Sequence, residues 1–431
     1  MSSLTKARST KVSEEALTKL QRTACLYITS AYPTTPTAGL ELLVGLTPLH
    51  LHIKGEAAMG FIRIKKHHAD QRTHKGLFDR HYGHVNACGR TLSRVRTAQI
   101  PTDAKPLSWE EPRFYTRIAE RELASKPPTH QQAIDVYTDG SKHTNGNTGA
   151  AAIIKTDGGW ITKTLHLGKL ATVFQAEVLA IQIAARFITQ NHYQNQDIYI
   201  NSDSQAALKA LARNTTSLET VKECKASLNE LCKANRVTIQ WVPGHIGVEG
   251  NERADLEANR AASEVTLGPE PFLPITTSII KADIKKRIEL DHRLEWESRE
   301  DCRQSKEAIG WPKGKLAQKL LRLSRSDLRS VIEILTGHNS LNRHRHVTGQ
   351  LGDPTCPKCL MEPETAQHHI GECLYFRTER EQTLGKHTIR INEITENLNI
   401  KSLLRYLQST GRLEEWKEET QQDSEHHTGQ P

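Results

Sequence analysis

The stretch IDVYTDG, residues 134–140, constrains this chain more than any other. Ile134, Val136 and Thr138 alternate with Asp135, Tyr137 and Asp139, the period of two expected of a β-strand, and the strand ends on a carboxylate that a glycine follows at once. An acid delivered to the lip of a sheet invites partners. Three downstream segments offer them. Residues 174–188 read as an amphipathic helix with Phe174, Val178, Ile181, Ala185 and Ile188 on one stripe, and Glu177 falls inside that stripe. A carboxylate on a buried helix face must be neutralised, paired or bound to a cation. Ile198 and Ile200 mark a second strand that stops at Asp203, followed by the helix-like SQAALKALAR. A strand over 237–242 then leads through Gly244, Gly247 and Gly250 into a helix that Asn251 is placed to cap, with Asp255 in its early turns.

Taken singly, each acid has an ordinary structural reading: an Asp before Gly makes turns, and an Asp opening a helix makes caps. Together they form a set of hard oxygen donors at element ends, the kind of set that holds two divalent cations about 4 Å apart across a phosphodiester. The motifs YTDGS (137–141), QAE (175–177), NSDSQAALKAL (201–211) and WVPGHIGVEGNERAD (241–255) resemble the ribonuclease H family in order and spacing over 133–262. The resemblance implies an α/β domain at 133–264 with a mixed five-stranded sheet and flanking helices, cutting the RNA strand of an RNA/DNA hybrid. It also implies that Asp139, Glu177, Asp203 and Asp255 hold Mg²⁺ (or Mn²⁺), that His245 assists proton movement or product release, and that Gly140, Ser141, Asn201 and Ser202 contact substrate. A loop imidazole between glycines suits that task, because it titrates near neutrality, although a single loop His is also an ordinary surface residue.

One departure from part of the family bears on substrate grip. Between the Asp203 helix and the next strand there is room for one helix, about residues 217–234, without the extra basic loop that some cellular members use. Residues 131–265 carry 13 Lys plus Arg against 14 Asp plus Glu, so this domain brings little electrostatic affinity for a polyanion. The chain as a whole has a net charge of +8, and the surplus lies upstream: residues 1–100 hold 15 Lys plus Arg against 6 Asp plus Glu. The stretch 61–84 mixes Lys and Arg with five histidines and three aromatics, and reads as a phosphate-contacting segment, as a solvated basic linker or, against the irregular spacing of its histidines, as a metal site.

A chain of 431 residues with 36% hydrophobic content holds two or three domains. Eight cysteines without a secretory signal or a long apolar run argue for a reducing intracellular setting, nuclear or cytoplasmic, with no membrane partner. Residues 1–121 read as a basic helical connection: a helix, a Pro-broken turn at 32–36, a second helix and a third after Pro48. LQRTACLYITSAYPTTPTAGLELLVGLTPLHLHI resembles the segment joining the reverse-transcriptase thumb to ribonuclease H in LINE-like, non-LTR retrotransposon polyproteins. No YxDD-type polymerase motif occurs, so a separate reverse-transcriptase module becomes a candidate partner.

Linkers are expected at 122–132 and 265–278, a helical segment at 279–350, and a helical then disordered tail at 381–431. In the helical segment Ile280, Ile284, Ile288 and Leu290 are available for one face. Residues 351–380 hold Cys356-x2-Cys359-x8-His368-x4-Cys373, three thiols and an imidazole, enough to close a tetrahedral Zn²⁺ shell in a zinc-knuckle-like module. His369 is the alternative imidazole, and a metal-free hairpin is the plain alternative. ETAQHHIGEC resembles an ET-x-x-H-x4-C element at the end of the same polyproteins, which favours His368. A clip of this size would fix a fold too small for its own core, and Arg343, His344, Arg345 and His346 beside it suit nucleic-acid contact. The remaining cysteines, Cys25, Cys88, Cys224, Cys232 and Cys302, lack ligand-like neighbours. The resulting expectation is a metal-dependent ribonuclease H from a retrotransposon polyprotein; the alternative is a catalytically idle nucleic-acid-binding remnant of the same polyprotein.

Overall fold

Residues 3–29 contain neither glycine nor proline, and they form one helix, α1 (Ser3–Thr29). Pro33 and Pro36 then break the chain, α2 (Thr37–Val44) ends on Gly45 in the left-handed region at φ 73°, and α3 (Leu49–His68) starts after Pro48. These are the three helices that the sequence placed here. The computed structural model describes residues 3–68, 101–118, 133–156, 158–264, 273–311, 314–397 and 399–412, with positions 95 and 97. Most of the basic stretch 61–84, the linker 122–132, Cys88 and the tail from 413 therefore lie outside the described residues. Two compact units emerge: Met1–Gly55 with Ile288–Pro431, and Glu56–Arg287.

The second unit is built on β1 (Ala104–Trp109), β2 (Tyr115–Arg117), β3 (Ala133–Lys142), β4 (Thr148–Thr156), β5 (Gly159–Gly168), α4 (Val173–Gln190), β6 (Asp197–Ser202), α5 (Gln205–Ala212), β7 (Thr215–Leu218), α6 (Glu219–Leu231), β8 (Arg236–Trp241) and α7 (Glu249–Ser263). Its main sheet runs β2-β8-β6-β3-β4-β5, antiparallel across β3, β4 and β5 and parallel across β3, β6, β8 and β2. The expected sheet had five strands; the sixth is β2, which pairs Tyr115–Arg117 with Thr238–Gln240. A second, two-stranded sheet joins β1 to β7. Residues 101–118 are thus not helical as expected. Pro101, Pro106 and Pro112 remove backbone donors and favour extended chain, and the exposed ladder of β8 supplies the pairing.

The apolar stripe of α4 (Val178, Ile181, Ala185, Ile188) packs with Val136, Ile154, Ile198, Ile200, Val237 and Ile239 in one core. On α7 the residues Ala254, Ala258, Ala261 and Ala262 are buried, and their small size lets backbone meet backbone: a Cβ on Gly149 of β4 would lie 2.5 Å from Ala258 O. Asn251 does not cap α7. The N-cap is Val248, without a side-chain bond, and Asn251 is buried inside the first turn.

The first unit adds, after α8 (Thr277–Ser298), helices α9 (Arg303–Ile309), α10 (Lys315–Leu320), α11 (Arg325–Thr336), α12 (Asn342–Val347), α13 (Arg377–Leu384), α14 (Ile391–Glu396) and α15 (Ile400–Thr410). On α8, Ile280, Ile284 and Ile288 are buried as expected, but Leu290 faces solvent, off the three- and four-residue steps of that stripe. Cys356 and Cys373 belong to the same core as Cys25, Leu40, Leu43, Val331, Leu335, Leu403 and Tyr406. The Cys/His segment is therefore no separate knuckle lacking a core, because the N-terminal helices and α11 to α15 bury it.

A fully buried ion pair locks this unit. Arg412 Nε donates to Glu364 Oε1 at 2.8 Å, its NH2 group reaches Glu364 Oε2 and Asn342 Oδ1, and the Asn342 backbone N–H completes the carboxylate's shell at 2.8 Å. Removing one partner strands the other charge. Glu364→Ala is expected to cost about 3–5 kcal/mol of this unit's stability, whereas pairing it with Arg412→Met should recover much of the loss. Urea unfolding followed by circular dichroism checks this; an unchanged midpoint for Glu364→Ala would contradict it.

Candidate active site

Strand register sets the site. Thr138 of β3 pairs with Ser202 of β6, so Asp139 and Asp203 reach the same end of the sheet from adjacent strands. The first turns of α4 cross this end and bring in Glu177. A Cβ on Gly140 would collide with the backbone nitrogen of Glu177, and one on Gly244 would sit 2.6 Å from Asp203 Oδ2, so both glycines are what closeness demands. Ligand oxygens of Asp139, Glu177 and Asp203 all lie within 4.8 Å of one another.

Bringing three acids together has an electrostatic consequence. Burial, then the charges of Asp203 and Asp255, pushes the Asp139 carboxyl up to about 7. Burial and the two neighbouring aspartates push Glu177 up to about 9. Asp203 is raised chiefly by burial, against the opposing influence of His245 and of a side-chain hydrogen bond from Asn251. The Gly140 backbone N–H opposes the rise of both Asp139 and Glu177, yet Glu177 Oε2 is buried with no hydrogen-bond partner. An orphaned buried oxygen amid like charges fits a bound cation.

Asp255, on α7, stands outside this group of three and hydrogen-bonds Asn259 Nδ2 at 2.9 Å. Its Oδ2 lies 3.9 Å from Nδ1 of His245, which is 78% exposed on the loop between β8 and α7 at φ 55°. Two of the expected substrate contacts, Asn201 and Ser202, lie in the interior strand β6. Both are buried, Asn201 spending its amide on Val136 O and Gln240 Nε2 and Ser202 its hydroxyl on the Ser204 N–H. Ser141, half-buried, directs its hydroxyl to Asn259 Oδ1 at 2.6 Å. Sequence reasoning missed Asn251 as a partner of Asp203; its place three residues into a glycine-opened helix suggested a cap instead.

In the other unit, Cys356, Cys359, His368 and Cys373 present ligand atoms within 4.8 Å of one another. The Cys356 and Cys373 sulfurs are 3.9 Å apart, and Cys359 Sγ is 3.4 Å from His368 Nε2. His369 turns into the core between Phe376 and Tyr406, with the Thr410 hydroxyl 3.4 Å from its Nε2.

Comparison with known proteins bears on the first of these sites. The RNase H family matches residues 131–263. Ribonuclease H of Hyphomonas neptunium is 31% identical over 147 residues, which cover 32% of this chain and 97% of that protein. The chain belongs to the ribonuclease H family. Ribonuclease H of Bartonella quintana is similar too, 28% identical over 145 residues covering 31% of this chain and 92% of the relative. A solved structure, RNase H1 from the halophilic archaeon Halobacterium salinarum NRC-1, is 28% identical, covers 30% of this chain and 96% of that one, and superposes with a TM-score of 0.25.

The protein is thus a ribonuclease H, a hydrolase acting on the RNA of RNA/DNA hybrids, and its family depends on divalent metal ions. The donor set fits such an ion: carboxylate oxygens only, converging, one of them unsatisfied. A carboxyl raised in the folded state favours folding at low pH, and that contribution is lost as pH rises through about 9 for Glu177. Without divalent ions the domain is therefore expected to lose stability from mildly acidic pH toward pH 9. Adding Mg²⁺ at pH 7 should release about one to two protons per chain, since the ion competes with the proton on Glu177 and with the one that Asp139 holds about half the time. Calorimetry in two buffers of different ionisation enthalpy measures this; equal heats in both would contradict it.

Proposed function

We propose that this chain is a Mg²⁺-dependent endonuclease, active also with Mn²⁺, that cuts the RNA strand of RNA/DNA hybrids and derives from a non-LTR retrotransposon polyprotein. The observation that carries the catalytic reading is the convergence of Asp139, Glu177 and Asp203 with a buried oxygen left unsatisfied. These three, with Asp255 beside them, would hold the metal ions. When bound, the ions supply positive charge that offsets the charge building on the scissile phosphate and lowers the pKa of the attacking water.

The chain's own groups divide the remaining work. Burial of Asp139 and Glu177 excludes bulk water, so their charges act in a low dielectric. His245 would hand a proton to the departing 3′ oxygen, with Asp255 Oδ2 3.9 Å from its Nδ1. The flanking Gly244 and Gly247, the latter at φ 81°, let that loop adjust as product leaves. Gly140 and Ser141 remain at the rim as candidate substrate contacts. Recognition through backbone and 2′-hydroxyls gives little sequence preference.

The polyprotein origin rests on the resemblance of the N-terminal helices and of ETAQHHIGEC. It makes a reverse-transcriptase module the natural partner. Cys356, Cys359, His368 and Cys373 are proposed to hold Zn²⁺, supported by their mutual closeness and by the way His369 is engaged elsewhere.

Two measurements test these readings. With a labelled hybrid and Mg²⁺ the intact chain should cut, and Asp139→Asn should lower the rate at least about 100-fold. Binding without cutting, with Mg²⁺ or Mn²⁺, would instead establish the idle remnant. Elemental analysis should find one zinc per chain, lost in Cys373→Ser and kept in Cys232→Ser, and no zinc in the intact protein would overturn the second proposal.

A further inference from the structure

The helix α6 begins badly by its own means: its N-cap is Leu218, which has no side-chain acceptor. The missing acceptor comes from far upstream. Asp103 Oδ1 accepts from both the backbone N–H and the hydroxyl of Thr220, each at 2.8 Å. Its other oxygen, Oδ2, accepts from Gln175 Nε2 at 3.3 Å, and Gln175 is the third residue of α4, bonded through its side-chain oxygen to the Thr172 N–H. One carboxylate thus lies between the N-termini of two helices. Asp103 is completely buried, and these hydrogen bonds give each of its carboxyl oxygens a partner.

The main chain around it is held as firmly. Asp103 N–H donates to Ile275 O, its carbonyl accepts from Glu219 N–H, and Ile275 N–H donates to Pro101 O, at 2.8–2.9 Å. Gln175 Nε2 also donates to Pro274 O at 2.9 Å. Segments on both sides of residues 131–263 are thereby tied to the first turn of α4. Two residues beyond Gln175 on that turn stands Glu177.

We propose that Asp103 is a positioning residue for the nuclease site: through Gln175 it fixes the first turn of α4, and so holds the Glu177 carboxylate against Asp139 and Asp203. This rests on the reading of Glu177 as a metal-holding acid. The reason such a brace is needed lies in the site itself. Three like-charged groups push apart until an ion arrives, so the turn bearing Glu177 must be held on every side: Ala176 packs it against Ala150 and Leu167, Phe174 packs on the main core, and Gln175 ties its polar side to Asp103. A fixed turn turns that repulsion into affinity for a cation, whereas a loose one lets Glu177 withdraw.

The test is Mn²⁺ binding by the full chain, followed by electron paramagnetic resonance without nucleic acid, beside hybrid cleavage as a function of Mg²⁺ and thermal unfolding. Asp103→Asn keeps size and an acceptor for Thr220 but turns a donor toward Gln175; Gln175→Met cuts the contact from the other side. Both are expected to weaken Mn²⁺ binding about tenfold and to shift half-maximal cleavage to correspondingly higher Mg²⁺. KM for the hybrid should stay unchanged, and the rate should recover at saturating metal. Variants that bind Mn²⁺ like the parent, or that lose rate equally at every Mg²⁺ concentration in step with a lowered melting temperature, would reduce Asp103 to a structural role and overturn the proposal. Asp139→Asn serves as the reference. If the parent chain shows no Mn²⁺ site sensitive to that change, the assignment of the acids themselves fails, and the proposal falls with it.

Discussion

Mutual repulsion among Asp139, Glu177 and Asp203 is the constraint around which the nuclease unit is arranged. Carboxylates this close and this buried would relax by protonating or by moving apart, and the raised values of Asp139 and Glu177 express the first route. The fold closes the second. β3 and β6 are locked by a continuous parallel ladder, Gly140 lets the backbone of α4 come down onto β3, and Gly244 lets the following loop come against Asp203. The instability is local, and the apolar face of α4 behind it carries the compensation.

Much of this was legible in the sequence because it is local. Alternation ending in Asp139, an acid on an apolar helical stripe at Glu177, and a strand stopping at Asp203 are each readable within a dozen residues, and the structure brings the three together. What escaped is non-local. Strand β2 exists because the edge of β8 is free, a fact that no window around Tyr115 contains. Asp103 is 117 residues from Thr220. Asn201 and Ser202 look like exposed polar residues at a strand end, and only the order β8-β6-β3 reveals that their strand is interior. Asn251 looked like a cap because a glycine loop precedes it, whereas the helix starts earlier, at Glu249.

The helical unit teaches a related lesson about size. Cys356-x2-Cys359 with His368 and Cys373 reads as a self-sufficient clip, since a short Cys/His segment ordinarily lacks apolar mass. Here that mass comes from α11, from α13 to α15 and from the first helices of the chain, with Tyr406 and Leu403 fully buried in the same cluster as Cys373. The buried pair of Glu364 and Arg412 spans the segment as well. Any ion held there would reinforce a core that already exists.

That the helical unit is made of residues 1–55 together with 288–431 has a consequence during synthesis. Its first helices leave the ribosome carrying apolar faces whose partners are still more than two hundred codons away. The nuclease unit, continuous in the chain, can complete its own core in that interval, whereas α1 and α2 must wait exposed. Their protection until α11 emerges falls to chaperones or to transient contacts, which makes the N-terminal helices the point at which production of this protein in a foreign host would first fail.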